Sequence, residues 1–579
     1  MQDSSTSVTA DGAGAYNAPI IRRTVLIQYG VALLTVILVA APLVPILYQA
    51  LLDRPLYDSG AIITLDNFVR LFANPTFYEA IRNSTLLSLL ATVLATVIGV
   101  TTAVLVGRTN LPLKRFFGEA VLWPIYVSHL VLAFGWFMMY GPSGYVTLLV
   151  KDWFGVSEPW NLYSMAGMAI VAGAAQAPLV HIFCSASVAR ADASLEDAAR
   201  SVGARPFTVL WRVTVPLMRP AIIYSAMLNF IGCLEMLSVP LILGTPVGMD
   251  FFTTFLYREG YSGSSPDYGL LGAAAFCLLV LISLLIFAQT RLLKNVDRFV
   301  TVKGKATRPK LFDLGQARWP LAIALAVYFF LTLGVTLGGL GLRAFTTFLT
   351  PLMAPWDLMT WDNFKLIFSY EAYRRSITNS ILVASLGAAS AVGIVALITV
   401  VIHRSGFRFR RQLEYVALYP RAVPGIVAGL GFFWGMLMFP FLGPLHGTIW
   451  ILILAFTMRT LPTAFGAISP ALMQISKDLD QGARSVGADW WTTTRRIVMP
   501  LLKQAMFGAY VLLFLSFLKE YASAAYLFAP GSEIIGTTML QFWANGDTGP
   551  VAALAVIQIL LTLLFVAFAR RALGVKAYG

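Results

Sequence analysis

Five ionisable side chains sit inside apolar runs of this chain. Glu235 lies in FIGCLEMLSVPLILG, Lys519 and Glu520 lie in FLSFLKEYASAAYLFAPG, and Arg421 and Arg459 lie in two further runs. A charge in so apolar a stretch costs about 3 kcal/mol or more unless it faces a partner or a polar path, so each is a candidate for function. Two chemistries are open. Glu235 and Glu520, with Lys519 beside them, can line a path for a cation, which needs negative charge or oxygen ligands along its way. Alternatively, Glu520 pairs with Arg459 or Arg421 and holds helices in register.

Other chemistry has little support. No G-x-x-x-x-G-K-[ST] phosphate loop occurs; the nearest string, Gly304-Lys305-Ala306, lacks the upstream glycine and the hydroxyl. The chain itself is therefore not expected to hydrolyse ATP or act as an enzyme. His129, His181, His403 and His446 are scattered and read as structural. Cys184, Cys233 and Cys277 all sit in apolar segments without metal-ligand spacing and read as space-filling. No catalytic residue, metal site or cofactor is expected.

The charged islands between apolar runs carry a second pattern, an internal repeat. SLEDAARSVGARPFTVLWRVTVPLMRP starts at Ser194, and SKDLDQGARSVGADWWTTTRRIVMPLLK starts at Ser476. Arg200-Ser201-Val202-Gly203-Ala204 recurs letter for letter at Arg484–Ala488, 284 positions on, and Pro216 recurs as Pro500 at the same shift. Ser194 followed by Asp197 predicts a capping box and a helix start. Gly203 suits a left-handed helix end, and Pro206 suits the first turn of a second helix. Asp489 is placed to cap that second helix in the other copy. Each copy reads as helix, turn, helix.

This pair of stretches resembles the EAA motif of ABC-importer permeases, whose consensus is Glu-Ala-Ala, three residues, Gly, about nine residues, an aliphatic residue, one more, Leu-Pro. The first copy shows Glu196, Asp197-Ala198-Ala199, Gly203 and Val215-Pro216; the second shows Asp480, Gln481-Gly482-Ala483, Gly487 and Met499-Pro500. Aspartate replaces glutamate there, and Gly482 within a helix costs about 1 kcal/mol against alanine, so weaker coupling is expected of the second copy. In that family the loop docks into a cleft on a separate ATPase subunit. The resemblance thus implies Glu196, Ala199, Gly203, Pro216, Asp480, Ala483, Gly487 and Pro500 as ATPase-coupling residues. It implies two ATPase subunits and a periplasmic substrate-binding protein as partners.

LKEYASAAYLFAP also resembles the fused permeases of ferric-ion importers. Leu518-Lys519-Glu520 and Pro530 match, while Tyr521-Ala522 stand where Leu-Pro is usual; Thr253-Thr254 and Thr537-Thr538 fit the same layout. The resemblance implies ferric iron as the favoured cargo. Permeases for thiamine, polyamine or aminoalkylphosphonate are the alternatives within the type. A twelve-span transporter driven by an ion gradient is the alternative outside it, and the two matched loops argue against that.

The supporting elements follow from composition. Of 579 residues, 58% are hydrophobic and only 12% charged, about half the charge of a soluble chain. An all-α polytopic membrane protein follows. Spans are predicted at about 24–51, 83–107, 120–140, 162–188, 219–243 and 268–290, then 319–342, 378–402, 412–439, 446–472, 501–529 and 550–572. The domain reading is a disordered cytoplasmic tail 1–23, a first repeat 24–293, a basic cytoplasmic linker 294–318 and a second repeat 319–579. The net charge of +14 is spread over short loops rather than gathered in a patch, so membrane orientation accounts for it and no nucleic-acid partner is expected. Basic residues concentrate in the linker and before the first span, at Arg22-Arg23, which places both termini in the cytoplasm of a bacterial inner membrane.

The repeat extends beyond the loops. Asp66-Asn67-Phe68 recurs as Asp362-Asn363-Phe364, Asn83-Ser84 as Asn379-Ser380 and Pro124 as Pro420, each 296 positions on. The change from 296 to 284 puts twelve extra residues near 141–160 of the first half. Six spans per half makes the copies parallel, related by an axis along the membrane normal. Glu235 and Glu520 are then expected to approach that axis, one from each half. Whether Lys519 neutralises Glu520 or points to the rim is open.

Overall fold

The computed structural model describes the backbone of residues 13–190, 193–261, 266–293 and 311–572. Most of the expected tail and linker, residues 1–12 and 294–310, lies outside these. Among the described residues there is no β-strand, only isolated bridges. Helices are what an apolar solvent demands, because each backbone N–H must find its acceptor within its own segment.

In the first half, α1 is Ala13–Ala50, α2 Pro75–Arg108, α3 His129–Tyr140, α4 Met165–Arg190, α5 Ala193–Ser201, α6 Arg219–Leu234 and α7 Tyr268–Leu293. In the second, α8 is Val335–Ala344, α9 Glu371–Arg404, α10 Gly425–Met438, α11 Ile449–Gln474, α12 Asp478–Ser485, α13 Met499–Lys519 and α14 Thr548–Ala572. Nine helical stretches among the described residues are long and apolar enough to cross a membrane, and twelve if three sharply bent pairs count as one span each.

Two of those bends correct the straight spans predicted at 120–140 and 412–439. The helices on either side of residues 127–128 meet at 104°, and those flanking 423–424 meet at 111°. In the first half Ser128 accepts a hydrogen bond from the Val131 N–H (3.1 Å) and starts α3 afresh. In the second, Pro424 cannot carry a preceding helix onward and stands just before α10. The twelve extra residues of the first half hold a short added helix, Tyr145–Phe154.

The repeated tripeptides prove to be staples. Asn67 donates to the carbonyls of Ala50 (3.1 Å) and Leu52 (2.7 Å), and Asn363 to those of Ala344 (3.0 Å) and Thr346 (3.1 Å). Each closes the open carbonyls at the end of its half's first helix. Ser84 takes the Phe252 N–H at 2.7 Å and Ser380 the Ile535 N–H at 2.8 Å.

Each half's first helix packs across the boundary as well as within its own half. α1 lies on α10 of the other half and on α7 of its own, and α8 lies on α3 and on α14. The crossings are close. A Cβ on Gly431 would lie 2.2 Å from the Pro42 carbonyl, and one on Gly135 would lie 3.0 Å from that of Thr336. These glycines stand 296 positions apart, so each copy meets the other's helix at the same point.

Candidate functional site

α6 and α13 both stop where the sequence predicts continued helix. Their last residues are Leu234 and Lys519, leaving Glu235 and Glu520 at the helix ends rather than mid-span. In the first half the Pro240 ring would meet the carbonyl four residues back, at Met236, so helix cannot run through that stretch. In the second, the Glu520 carboxylate accepts the Ser523 N–H at 3.1 Å and its hydroxyl at 3.3 Å. That N–H is one a continuing helix would have used itself. Irregular backbone at membrane depth is tolerated only where protein or a water-filled cavity covers it.

Arg459 of α11 joins the two ends. One terminal nitrogen lies 2.5 Å from Glu520 Oε2 and the other 3.4 Å from Glu235 Oε2. The three side chains are 17–24% exposed. The two carboxylates therefore come together from opposite halves, on one guanidinium. Lys519 forms no ion pair among the described residues; its ammonium donates to the Ile125 carbonyl in the first half's bend. Position 125 is the counterpart of Arg421 in the repeat, so the first half offers a carbonyl where the second offers a cation.

These groups line a cavity of about 1110 Å³ between the halves. His129, Gln176, Ser128 and Arg421 also face it, so His129 belongs to the cavity wall, while His181 and His403 are hydrogen-bonded within the bundle, to Thr102 (3.0 Å) and Ser469 (2.8 Å). Thr290 near the end of α7 and Tyr415 before the second bend extend its rim. Among the described residues no three His, Cys, Asp or Glu side chains gather to hold a metal ion.

The duplicated loops fold alike. α5 and α12 end at glycines with φ of +84° (Gly203) and +85° (Gly487), where L side chains are strained. The Ala204 N–H reaches back to the Ala199 carbonyl (3.1 Å) and the Ala488 N–H to that of Ala483 (3.0 Å), the bond pattern of a glycine-capped helix end. Asp489 caps the second short helix through the Thr492 N–H at 3.0 Å, as its sequence position predicts. The Ser194 side chain lies outside the described residues; in the second copy Ser476 accepts the Asp478 N–H at 3.2 Å. Pro216 and Pro500 each follow a widened, π-type turn, Leu210–Thr214 and Thr494–Val498. Such a turn makes room for a proline ring that would clash with a carbonyl four residues back.

The acidic residue of each loop turns inward. Glu196, 2% exposed, lies 3.4 Å from Arg108 at the end of α2 and accepts from the Thr214 hydroxyl at 2.8 Å. Asp480 lies 2.5 Å from Arg404 at the end of α9. Arg108 and Arg404 are themselves 296 apart, so the anchor is part of the repeat. At the loop tips Val202 and Val486 are each 83% exposed, with Leu195 and Leu479 beside them, among exposed polar residues such as Asp197 and Asp478. Sequence reasoning singled out the acids; the letter-for-letter Arg-Ser-Val-Gly-Ala match already contained the exposed valine.

A profile of the binding-protein-dependent transport system inner membrane component family matches residues 95–302 and again 389–572, one loop within each match. The chain belongs to that family. It is the permease component of an ABC importer, a multi-pass inner-membrane protein with two copies of the domain in one chain. A ferric transport system permease protein of Actinobacillus pleuropneumoniae is 27% identical over 93% of this chain and 77% of its own. An Fe(3+)-transport system permease protein of Haemophilus influenzae is 24% identical over 92% of this chain and 95% of its own. A 2-aminoethylphosphonate transport system permease protein of Salmonella typhimurium is 26% identical but matches only 42% of this chain and 88% of its own.

Within the permease, the sequence missed two residues of the site's framework. Arg108 and Arg404 close apolar helices and read there as ordinary inside-positive charges. Their shared shift of 296 was the available signal.

Proposed function

We propose that this permease moves ferric iron delivered by a periplasmic binding protein. Its drive comes from two ATPase subunits seated on α5 and α12, with both chain termini in the cytoplasm. The iron reading is supported by the two ferric relatives that match nearly the whole chain in its fused form. The coupling reading is carried by one observation: both loops present the same apolar tip, on the same glycine-capped helix, tied by the same arginine–carboxylate anchor. An inward carboxylate fixes the loop to the span that must move, and the exposed valine is left to meet the partner. Glu196 and Asp480 thus transmit force without touching the ATPase. Glu235, Lys519 and Glu520 line the cargo's path, which is open at the rim formed by Thr290 and Tyr415.

The test is uptake of radiolabelled iron into proteoliposomes holding the permease with its ATPase and binding protein. ATP-dependent uptake is expected, and Glu520→Gln should lower it while leaving the assembled complex intact. Unaltered uptake per folded complex in that variant would reduce Glu520 to a structural ion-pair partner. Uptake of another cargo but not iron would overturn the iron assignment.

A further inference from the structure

The charge inventory of the cavity bears on what form of cargo it takes. Its lining holds three basic side chains, Arg421, Arg459 and Lys519, against two carboxylates, Glu235 and Glu520. Neither carboxylate is free to ligate a cation. Glu235 is held by Arg459, and Glu520 by Arg459 and by both donors of Ser523. Lys519 is occupied by the Ile125 carbonyl. Arg421 differs from the others: it is exposed to the cavity and makes no ion pair among the described residues. It stands in the second half's bend, just before α10. A solute entering this space meets a guanidinium, whose planar fork matches carboxylate, phosphate and phosphonate oxygens.

We infer that the cavity receives its cargo through an anionic oxygen group, so that ferric iron crosses as a complex with an oxyanion ligand and not as a bare trivalent ion. This rests on the reading of the cavity as the cargo's path. Rings of basic side chains select anions in pores by the same electrostatics. Low-dielectric walls focus the field of an uncompensated charge on the solute.

The experiment reads the sign of the cavity's potential without needing partners. Thr463 lies one helical turn beyond Arg459 on α11, lines the cavity and is exposed. In a full-length permease lacking Cys184, Cys233 and Cys277, Thr463→Cys is reacted with anionic and cationic methanethiosulfonate reagents of matched size. Rates are normalised to a free thiol. The anionic reagent is expected to be favoured by about 10-fold or more at low salt, and less as salt rises. Arg421→Gln should abolish the preference, and Arg421→Lys should keep it; size-exclusion profiles establish that each is folded. Preference for the cationic reagent, no preference, or no reaction with either overturns the inference. Protection of Thr463→Cys by ferric citrate, against protection by 2-aminoethylphosphonate, separates a metal complex from an organic phosphonate. Protection by cobalt(III) hexaammine alone counts against both. If the anionic preference stands while iron uptake fails, the iron assignment falls and the cavity's selectivity remains.

Discussion

Arg459 stands 2.5 Å from Glu520 across the cavity wall, and its other terminal nitrogen serves Glu235. Removing one member of such a cluster leaves the others charged and poorly solvated. Arg459→Met should lower stability by about 3 kcal/mol, the low end for a broken buried pair because the cavity wets this one. Replacing all three, with Glu235→Gln and Glu520→Gln added, should recover most of the loss. Thermal unfolding in detergent measures both. A triple variant no more stable than Arg459→Met would mean that the cluster is not energetically closed.

The loop anchors differ in a way that sets two effects against each other. The Arg404–Asp480 contact is the shorter, but the Arg108–Glu196 contact is the more buried, at 0% and 2% side-chain exposure against 4% and 17%. Burial should win. Arg404 also donates to the carbonyls of Ser476 (3.2 Å), Leu472 (3.0 Å) and Ile475, so it stays solvated when its carboxylate goes. Glu196→Gln is expected to cost about 3 kcal/mol and Asp480→Asn about 1 kcal/mol. Limited proteolysis of the two loops would show the order directly; equal sensitivity would contradict it.

Gly203 and Gly487 have open space where a Cβ would go, so strain alone opposes substitution. Valine at either should cost about 1–3 kcal/mol through its left-handed φ and uncouple ATP hydrolysis from transport. Gly482 lies inside α12 with equal space and an ordinary φ. Gly482→Ala should therefore stabilise that loop by about 1 kcal/mol. Coupled transport in reconstituted complexes separates the cases, and full transport by the Gly203→Val, Gly487→Val double variant would remove the coupling role.

The linker's far end is clasped to the first loop. Phe312 bridges Thr109 through the backbone, and its ring lies 4.4 Å from the Arg200 guanidinium on α5. Asp313 beside it is held below the usual carboxylate range, chiefly by the Gly315 N–H and then by the Asn110 amide. A lowered carboxyl pKa stabilises the folded form above the ordinary value, and the gain is lost as pH falls through the folded one. Hydrogen-exchange protection of the Phe312 amide, corrected for intrinsic rate, should stay level from about pH 5 to 8 and drop only below about pH 4. A fall near neutrality would point to another group.

Much of this was legible in the sequence because repetition reports symmetry. The shifts of 284 and 296 set out the parallel halves and the glycine turns, and they marked Asn67 and Asn363 as equivalent positions, though not as the staples they prove to be. The spans' interiors were harder. A hydropathy run cannot distinguish a straight helix from the bends at Ser128 and Pro424, since both halves of a broken helix are equally oily. Arg459 was one of two partners the sequence offered for Glu520, and the structure selects it over Arg421. That the same guanidinium also takes Glu235, from the other half, is a tertiary arrangement that no local pattern encodes.

The shared packing of the first helices bears on what holds the two halves together. Because α1 lies against α10 and α8 against α3, as well as each against its own half, the association of the halves does not rest on the covalent link alone. A protease site inserted at 294–310 should, once cut, yield two fragments that still co-purify as one transporter. Co-purification would mean that the interface between the halves, and not the peptide thread, is what makes them one transporter.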